Sequence, residues 1–164
     1  MAKKTEITVK PTLKELQRRH EAVMREMGGF QAPHRQIGVF LDQWVQQNFR
    51  TEGAILEDGP WPPFAGGGRV VLTSGGSFLD SSAKLLQDTG RLRASFAPFA
   101  SARNAGIGSD VPYARAHHEG VGDLPERRLL PREDEVRQPI REIFDGHVEK
   151  ALARYRSRGS GGTT

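Results

Sequence analysis

The chain has 164 residues, enough for one domain with a modest core, and its 19 glycines and 10 prolines mean that much of it must be loop. A formal charge of +4 is mild: it permits lining a DNA passage but argues against a dedicated nucleic-acid binder. Without cysteine, disulfides, thiolate metal sites and cysteine nucleophiles are excluded.

The start Met1-Ala2-Lys3-Lys4 lacks the apolar core of a signal peptide, and no apolar run reaches the roughly 20 residues of a membrane span. Use in the cytosol is therefore expected. Glu6-Ile7-Thr8-Val9-Lys10 alternates over a β-branched run and reads as a short strand that Pro11 stops. Thr12 and Glu15 have capping-box spacing at the head of a helix whose apolar positions are Leu13, Leu16, Val23, Met24 and Met27. Gly28-Gly29 ends it, and Arg18, Arg19, Glu21, Arg25 and Glu26 form a solvated outer face. A second helix begins near Arg35, where Ile37, Phe40, Leu41, Trp44, Val45 and Phe49 make a wide apolar stripe. Its width implies burial against both a sheet and another helix, with Trp44 in the core.

A flexible Gly/Pro-rich loop is expected at about 53–77, with a rigid bend at Gly59-Pro60-Trp61-Pro62-Pro63. The run Gly66-Gly67-Gly68 beside Arg69 is not followed by Gly-Lys-Ser/Thr, so it is no phosphate loop. It reads instead as a flap that orders against a neighbouring copy, with Val70-Val71-Leu72 as an added strand. Asp80 is placed to cap a helix through Leu86.

Asp88-Thr89-Gly90 is a helix punctuation mark: Gly90 supplies a permissive backbone, and the Thr89 hydroxyl can cap the segment from Arg91 onward. Ser95 to Ser101 reads as a strand confined to a sheet edge or a bulge by Pro98. A turn at Arg103-Asn104-Ala105 leads to a second strand around Ile107, and Gly106-Ile107-Gly108 lacks the third glycine of a dinucleotide fingerprint. Tyr113 and His117 lie one helical turn apart on one face. Adjacent helical side chains diverge by about 100°, so His117-His118-Glu119 cannot supply two metal ligands from one face. His117 is expected to be buried or at an interface, bonded to backbone.

Pro125 to Pro131 reads as an extended strand. Glu133-Asp134-Glu135 suit the acidic first turn of a last helix, with Pro139 at its true first turn. Ile140, Ile143, Phe144, His147, Val148, Ala151, Leu152 and Tyr155 hold the helical period, and Arg154, Arg156 and Arg158 suit its C-terminus. Residues 159–164 are expected to be a disordered tail on a single domain spanning 1–158.

These elements predict an α+β fold: a small, mostly antiparallel sheet of about four strands with helices mainly on one face. No nucleophile elbow, metal cluster or paired carboxylates beside a histidine can be read, so no enzyme, cofactor or metal is expected.

Five features in order carry a resemblance. They are the amphipathic helix ending at Phe49, the Trp61-Pro62 turn, the run Asp88-Thr89-Gly90-Arg91-Leu92-Arg93-Ala94-Ser95, the segment Tyr113-Ala114 through His117 to Gly120, and the run Pro125 to Pro131 before a closing helix. Together, over roughly Ile7 to Leu152, the chain resembles the phage virion morphogenesis family, the tail-completion proteins of Mu-like phages and prophages. It departs from that pattern at Arg128-Leu129-Leu130, where the family has Pro-Phe-Leu.

The resemblance implies a virion protein, assembled in the host cytoplasm, that completes the tail at its head-proximal end and joins tail to head. It implies a ring of about six copies around the DNA passage, touching the tail tube or tail terminator and the head-side connector. The motif residues Asp88, Thr89, Gly90, Leu92, Arg93, Ser95, Tyr113, Ala114, His117, Gly120, Pro125 and Arg127 would then be structural. Gly66, Gly67, Gly68, Arg69, Tyr113 and His117 are candidates for the subunit interface. Arg91, Arg93, Arg127 and Arg128 are candidates for weak, sequence-blind contact with passing DNA. A small basic nucleic-acid-binding protein is the alternative.

Overall fold

The computed structural model describes residues 13–160. The expected strand at Glu6–Lys10, the Thr12 cap and the last four positions lie outside the described residues.

Helix α1 (Leu13–Met27) is followed by α2 (Gln31–Arg50), the central element of the core. α2 starts at Gln31, ahead of Arg35, because Pro33 falls in the first turn, where a missing N–H leaves no intrahelical bond unmade. Its stripe is two-sided, as expected. Towards the C-terminus, Val45 and Phe49 are wholly buried with Trp61, Leu92, Phe96 and Leu129. Towards the N-terminus, Ile37 and Leu41 meet Val136, Ile140 and Phe144 of α5 (Glu133–Ser160). α1 lies on α5 with only Met27 of its described side chains buried, while Leu16 and Met24 remain exposed. Polar ties lock the pair: His147 donates from Nε2 to the Met27 carbonyl (2.9 Å), and Arg154 donates to the Glu26 carbonyl (2.7 Å).

The α+β class is as expected, but the four strands form two separate antiparallel hairpins. β3 (Phe96–Ala100) and β4 (Ala105–Ser109) pair and lie against α2. β1 (Arg69–Thr73) and β2 (Gly76–Asp80) pair with each other, and among the described residues no helix packs closely on them. The expected loop at 53–77 thus divides. Its first half is packed, with Leu56 and Trp61 buried, and its second half is the first strand and the turn of the β1–β2 hairpin. Trp61 sits so close that a Cβ on Gly53, whose φ is +85°, would stand 2.5 Å from the indole.

Three further expectations are corrected. No helix spans Asp80–Leu86: the Asp80 carboxylate accepts from the Ser82 amide (3.0 Å) and hydroxyl, capping a local turn, and the short helix α3 (Arg91–Ala94) comes later. Pro125–Pro131 is not a strand, because its polar backbone is taken up by side chains and by α4 (Tyr113–Glu119). Pro139 lies in the second turn of α5, which begins at Glu133 because the Glu135 carboxylate accepts from the Arg132 amide at 2.7 Å, half of a capping box. That helix is continuous through Ser160.

Candidate functional site

Two features stand out: a knot where the motif segments meet, and the hairpin projecting beside it.

In the knot, Gly90 takes a left-handed backbone (φ 71°) and Thr89 Oγ1 accepts from the Arg91 amide at 3.3 Å, the punctuation expected of them. Leu92 and Ala114 enter the core, and Ser95 donates to the Leu92 carbonyl (2.7 Å) while its hydroxyl meets that of Ser109 (2.6 Å). Tyr113 and His117 stack edge to face at 6.1 Å. They and Asp88–Leu92 line a cleft of about 200 Å³. Gly120 closes α4 at φ 66°, and a Cβ there would meet the Glu126 amide at 2.8 Å, so glycine is required for the chain to return. Pro125 is exposed.

After that return, 127–129 is bound as a strap. The Arg127 amide donates to the His117 carbonyl (2.8 Å) and the Leu129 amide to His118 Nδ1 (2.9 Å). Asn48 Nδ2 and Trp61 Nε1 both donate to the Arg128 carbonyl, at 2.9 and 3.0 Å. Of these two adjacent histidines it is therefore His118 that bonds backbone, whereas His117 Nδ1 is buried without a partner.

This strap decides the arginines. Arg127 is buried, donating to the Pro62 and Pro63 carbonyls at 3.0 and 3.2 Å, and burial lowers its pKa. Arg128 is buried in a two-point ion pair with Glu135 (2.5 and 2.7 Å), with Asp58 at 3.4 Å. The hydrogen bond to Glu135 raises the Arg128 pKa and lowers that of Glu135. Neither guanidinium is free for DNA, which corrects that expectation. Arg93 is half-buried and donates to Gln46 (2.7 Å), leaving Arg91 exposed.

Of the interface candidates, Gly66 and Gly67 are exposed, but Gly68 is buried: a Cβ there would stand 2.7 Å from the Asp80 carbonyl. Arg69 pairs with Asp80 (3.8 Å) and Asp88, fixing the hairpin's base to the knot. Beyond that base, Val70, Leu72, Phe78 and Leu79 are 63, 82, 55 and 51% exposed. Sequence reasoning missed Phe78 and Leu79, although apolar runs flanking Ser74-Gly75-Gly76 are a hairpin signal. It also missed Asn48, whose signal was a polar residue inside an apolar stripe.

Burial holds His118 below the ordinary histidine range, and does the same to His117 with help from Arg127. The fold thus binds fewer protons than the unfolded chain, so stability is full above about pH 6.5 and declines as pH falls through that value. Thermal unfolding from about pH 7 to pH 5 should show a falling midpoint. His118→Gln, which keeps an acceptor but cannot be protonated, should show a smaller fall.

Among the described residues, no group of three or more His, Cys, Asp or Glu could hold a metal, and no helix is long and apolar enough to cross a membrane. The described α+β body thus uses much of its motif region for internal bonding and leaves large apolar side chains of the β1–β2 hairpin exposed. The model of the phage virion morphogenesis family matches residues 12–149, and the chain belongs to that family. Searches of curated proteins and of solved structures give no match. The family gives the chain a role in building the phage virion.

Proposed function

We infer that the chain completes the tail at its head-proximal end and helps join tail to head, as a ring of about six copies around the DNA passage. It acts by geometry and makes no bonds of its own. The observation that carries this reading is the anchored hairpin, which presents large apolar side chains on both faces. An isolated domain rarely holds so many large apolar side chains in solvent on one arm unless other surfaces cover them. Membership of a virion morphogenesis family supports reading that surface as one that is covered in a particle. The near-balanced charge fits a passage through which DNA slides without being held. Of the arginines considered for the lumen, Arg91 is the one left exposed.

Particles assembled without this protein should accumulate as full heads and unattached tails under the electron microscope. Normal virions in its absence would end the reading, as would turnover of a small molecule by the purified chain.

A further inference from the structure

The near-balanced charge of the whole chain hides a segregation. The body of the fold, residues 28–147, holds 13 Lys or Arg against 15 Asp or Glu. α1 and the last turns of α5, residues 13–27 and 148–158, hold eight against four. These two stretches are one place in space. α2 runs along α5 from Val136 to Phe144, and α1 takes the remainder, its last turn meeting His147 and its Glu26 reaching Arg154 and Arg158. The N-terminal turns of α1 therefore lie beside the C-terminal turns of α5, and among the described residues α1 packs closely on no other element.

Pairing sharpens the contrast. Lys14, Arg18, Arg19, Arg25, Lys150 and Arg156 are all exposed, and none has a carboxylate partner among the described residues, because Glu26 is taken by Arg154 and Arg158. In the body, by contrast, Arg69, Arg115, Arg128, Arg132, Arg137 and Arg141 are each held by a carboxylate. The helix dipole accounts for the cations that end α5, but it disfavours Lys14 in the first turn of α1. At about 100° per residue, Lys14, Arg18 and Arg25 fall on one line along α1, with Glu21 among them, and the exposed Leu16 and Met24 fall on another side. No large apolar residue is exposed at 148–158.

We propose that this helix pair is where the chain meets double-stranded DNA, through the phosphate backbone and without reading sequence. The proposal rests on the DNA-passage reading above and moves the contact from Arg91 to the free end of α1 and α5. A duplex carries one negative charge per about 1.7 Å, so it draws a net positive end towards it and gains nothing from a body with an acidic excess. Exposed, unpaired Lys and Arg have no ion pair to break before they reach a phosphate. The core of a protein interface is apolar and poor in charge, whereas these cations surround no exposed apolar residue. Six contacts at most give a weak, salt-sensitive hold, under which a duplex can still slide.

The test titrates the full-length protein onto a labelled DNA duplex of arbitrary sequence, at salt from about 50 to about 200 mM. With four of the six cations on phosphate, log affinity falls against log salt with a slope of about −3.6, a loss of roughly a hundredfold over that range. The quadruple variant Arg18→Gln, Arg25→Gln, Lys150→Gln, Arg156→Gln should bind at least about tenfold more weakly at the lower salt, with a slope shallower by about 1 for each contact removed. Its thermal midpoint should match that of the native chain, since the four side chains are exposed and unpaired. Arg91→Gln should bind as the native chain does. Equal affinity and slope for the native chain and the quadruple variant would overturn the proposal. So would a loss that Arg91→Gln alone reproduces, or a native chain that ignores the duplex at the lower salt. Loss of a neighbouring virion protein from particles built with the quadruple variant, at unchanged duplex affinity, would assign the surface to an acidic protein instead. Each of these outcomes leaves the tail-joining reading standing, because particles that lack the protein altogether decide that reading.

Discussion

Glu135→Ala should destabilise the protein by about 3 kcal/mol, near the lower end for breaking a buried ion pair. For a chain of this size that is a midpoint lower by about 6–12 °C. The side chains of Arg128 and Glu135 are 7 and 9% exposed, so the substitution leaves a guanidinium facing protein instead of water. Asp58, at 3.4 Å, offers partial compensation, which keeps the loss from the top of the range. The same carboxylate accepts from the Arg132 amide, so the first turn of α5 loses its cap as well. Glu135→Gln keeps the shape and an acceptor and should fall between alanine and the native residue. Replacing both partners with Arg128→Met and Glu135→Leu should recover much of the loss, because the cost lies in the orphaned charge. A loss below about 0.5 kcal/mol for Glu135→Ala would mean that water already solvates Arg128.

The acid limb has a definite sign. The Arg128 hydrogen bond holds the Glu135 carboxyl below the ordinary glutamate range. Its contribution is therefore fully present above about pH 4.3 and is lost as pH falls through the lower folded value. Native protein should lose stability on that limb faster than Glu135→Ala does.

Phe49→Ala should cost about 3–5 kcal/mol, the largest single-residue effect expected here. Phe49 is wholly buried at the end of α2, with Trp61 edge-on at 5.3 Å and Phe96 at 5.8 Å. Removing the ring opens a cavity walled by two large aromatics that are themselves fixed. Trp61 is tied to the Arg128 carbonyl, and Phe96 is in a strand laid on α2. Such walls collapse poorly, so the cavity term is kept. Urea unfolding should show a lower midpoint with unchanged slope, since the surface exposed on unfolding hardly alters. Val39→Ser, on the same helix but exposed, should stay within about 0.5 kcal/mol in the isolated chain. Equal effects at the two positions would show that the aromatic cluster does not hold the domain together.

Much was legible because it is local. The apolar period of α2 followed from residues three and four apart, and so did that of α5 beyond its start. Gly90 announced a left-handed turn, and the β3–β4 hairpin showed in the short apolar runs either side of Asn104. The motif segments pointed to the family that the match over residues 12–149 establishes.

What was misread depended on partners far along the chain. Residues 127–129 looked like a strand, since prolines at both ends and arginines between them suit an extended edge. Their backbone is in fact held by Asn48 and Trp61, some 80 and 67 positions away. Arg127 and Arg128 looked like surface charge because arginine usually is. Their burial depends on the Pro62 and Pro63 carbonyls and on a carboxylate that counted, in sequence, only as part of an acidic first turn.

By itself the sequence determined the class of fold, the long helices, the turn glycines and the family, because periodicity, backbone sterics and ordered motifs act over a few residues. Only the tertiary structure decided that the strands form two hairpins, that two arginines are internal, and that one arm stays uncovered. Burial and pairing are properties of neighbours in space, and a chain read in order does not say which distant residue will supply the missing bond.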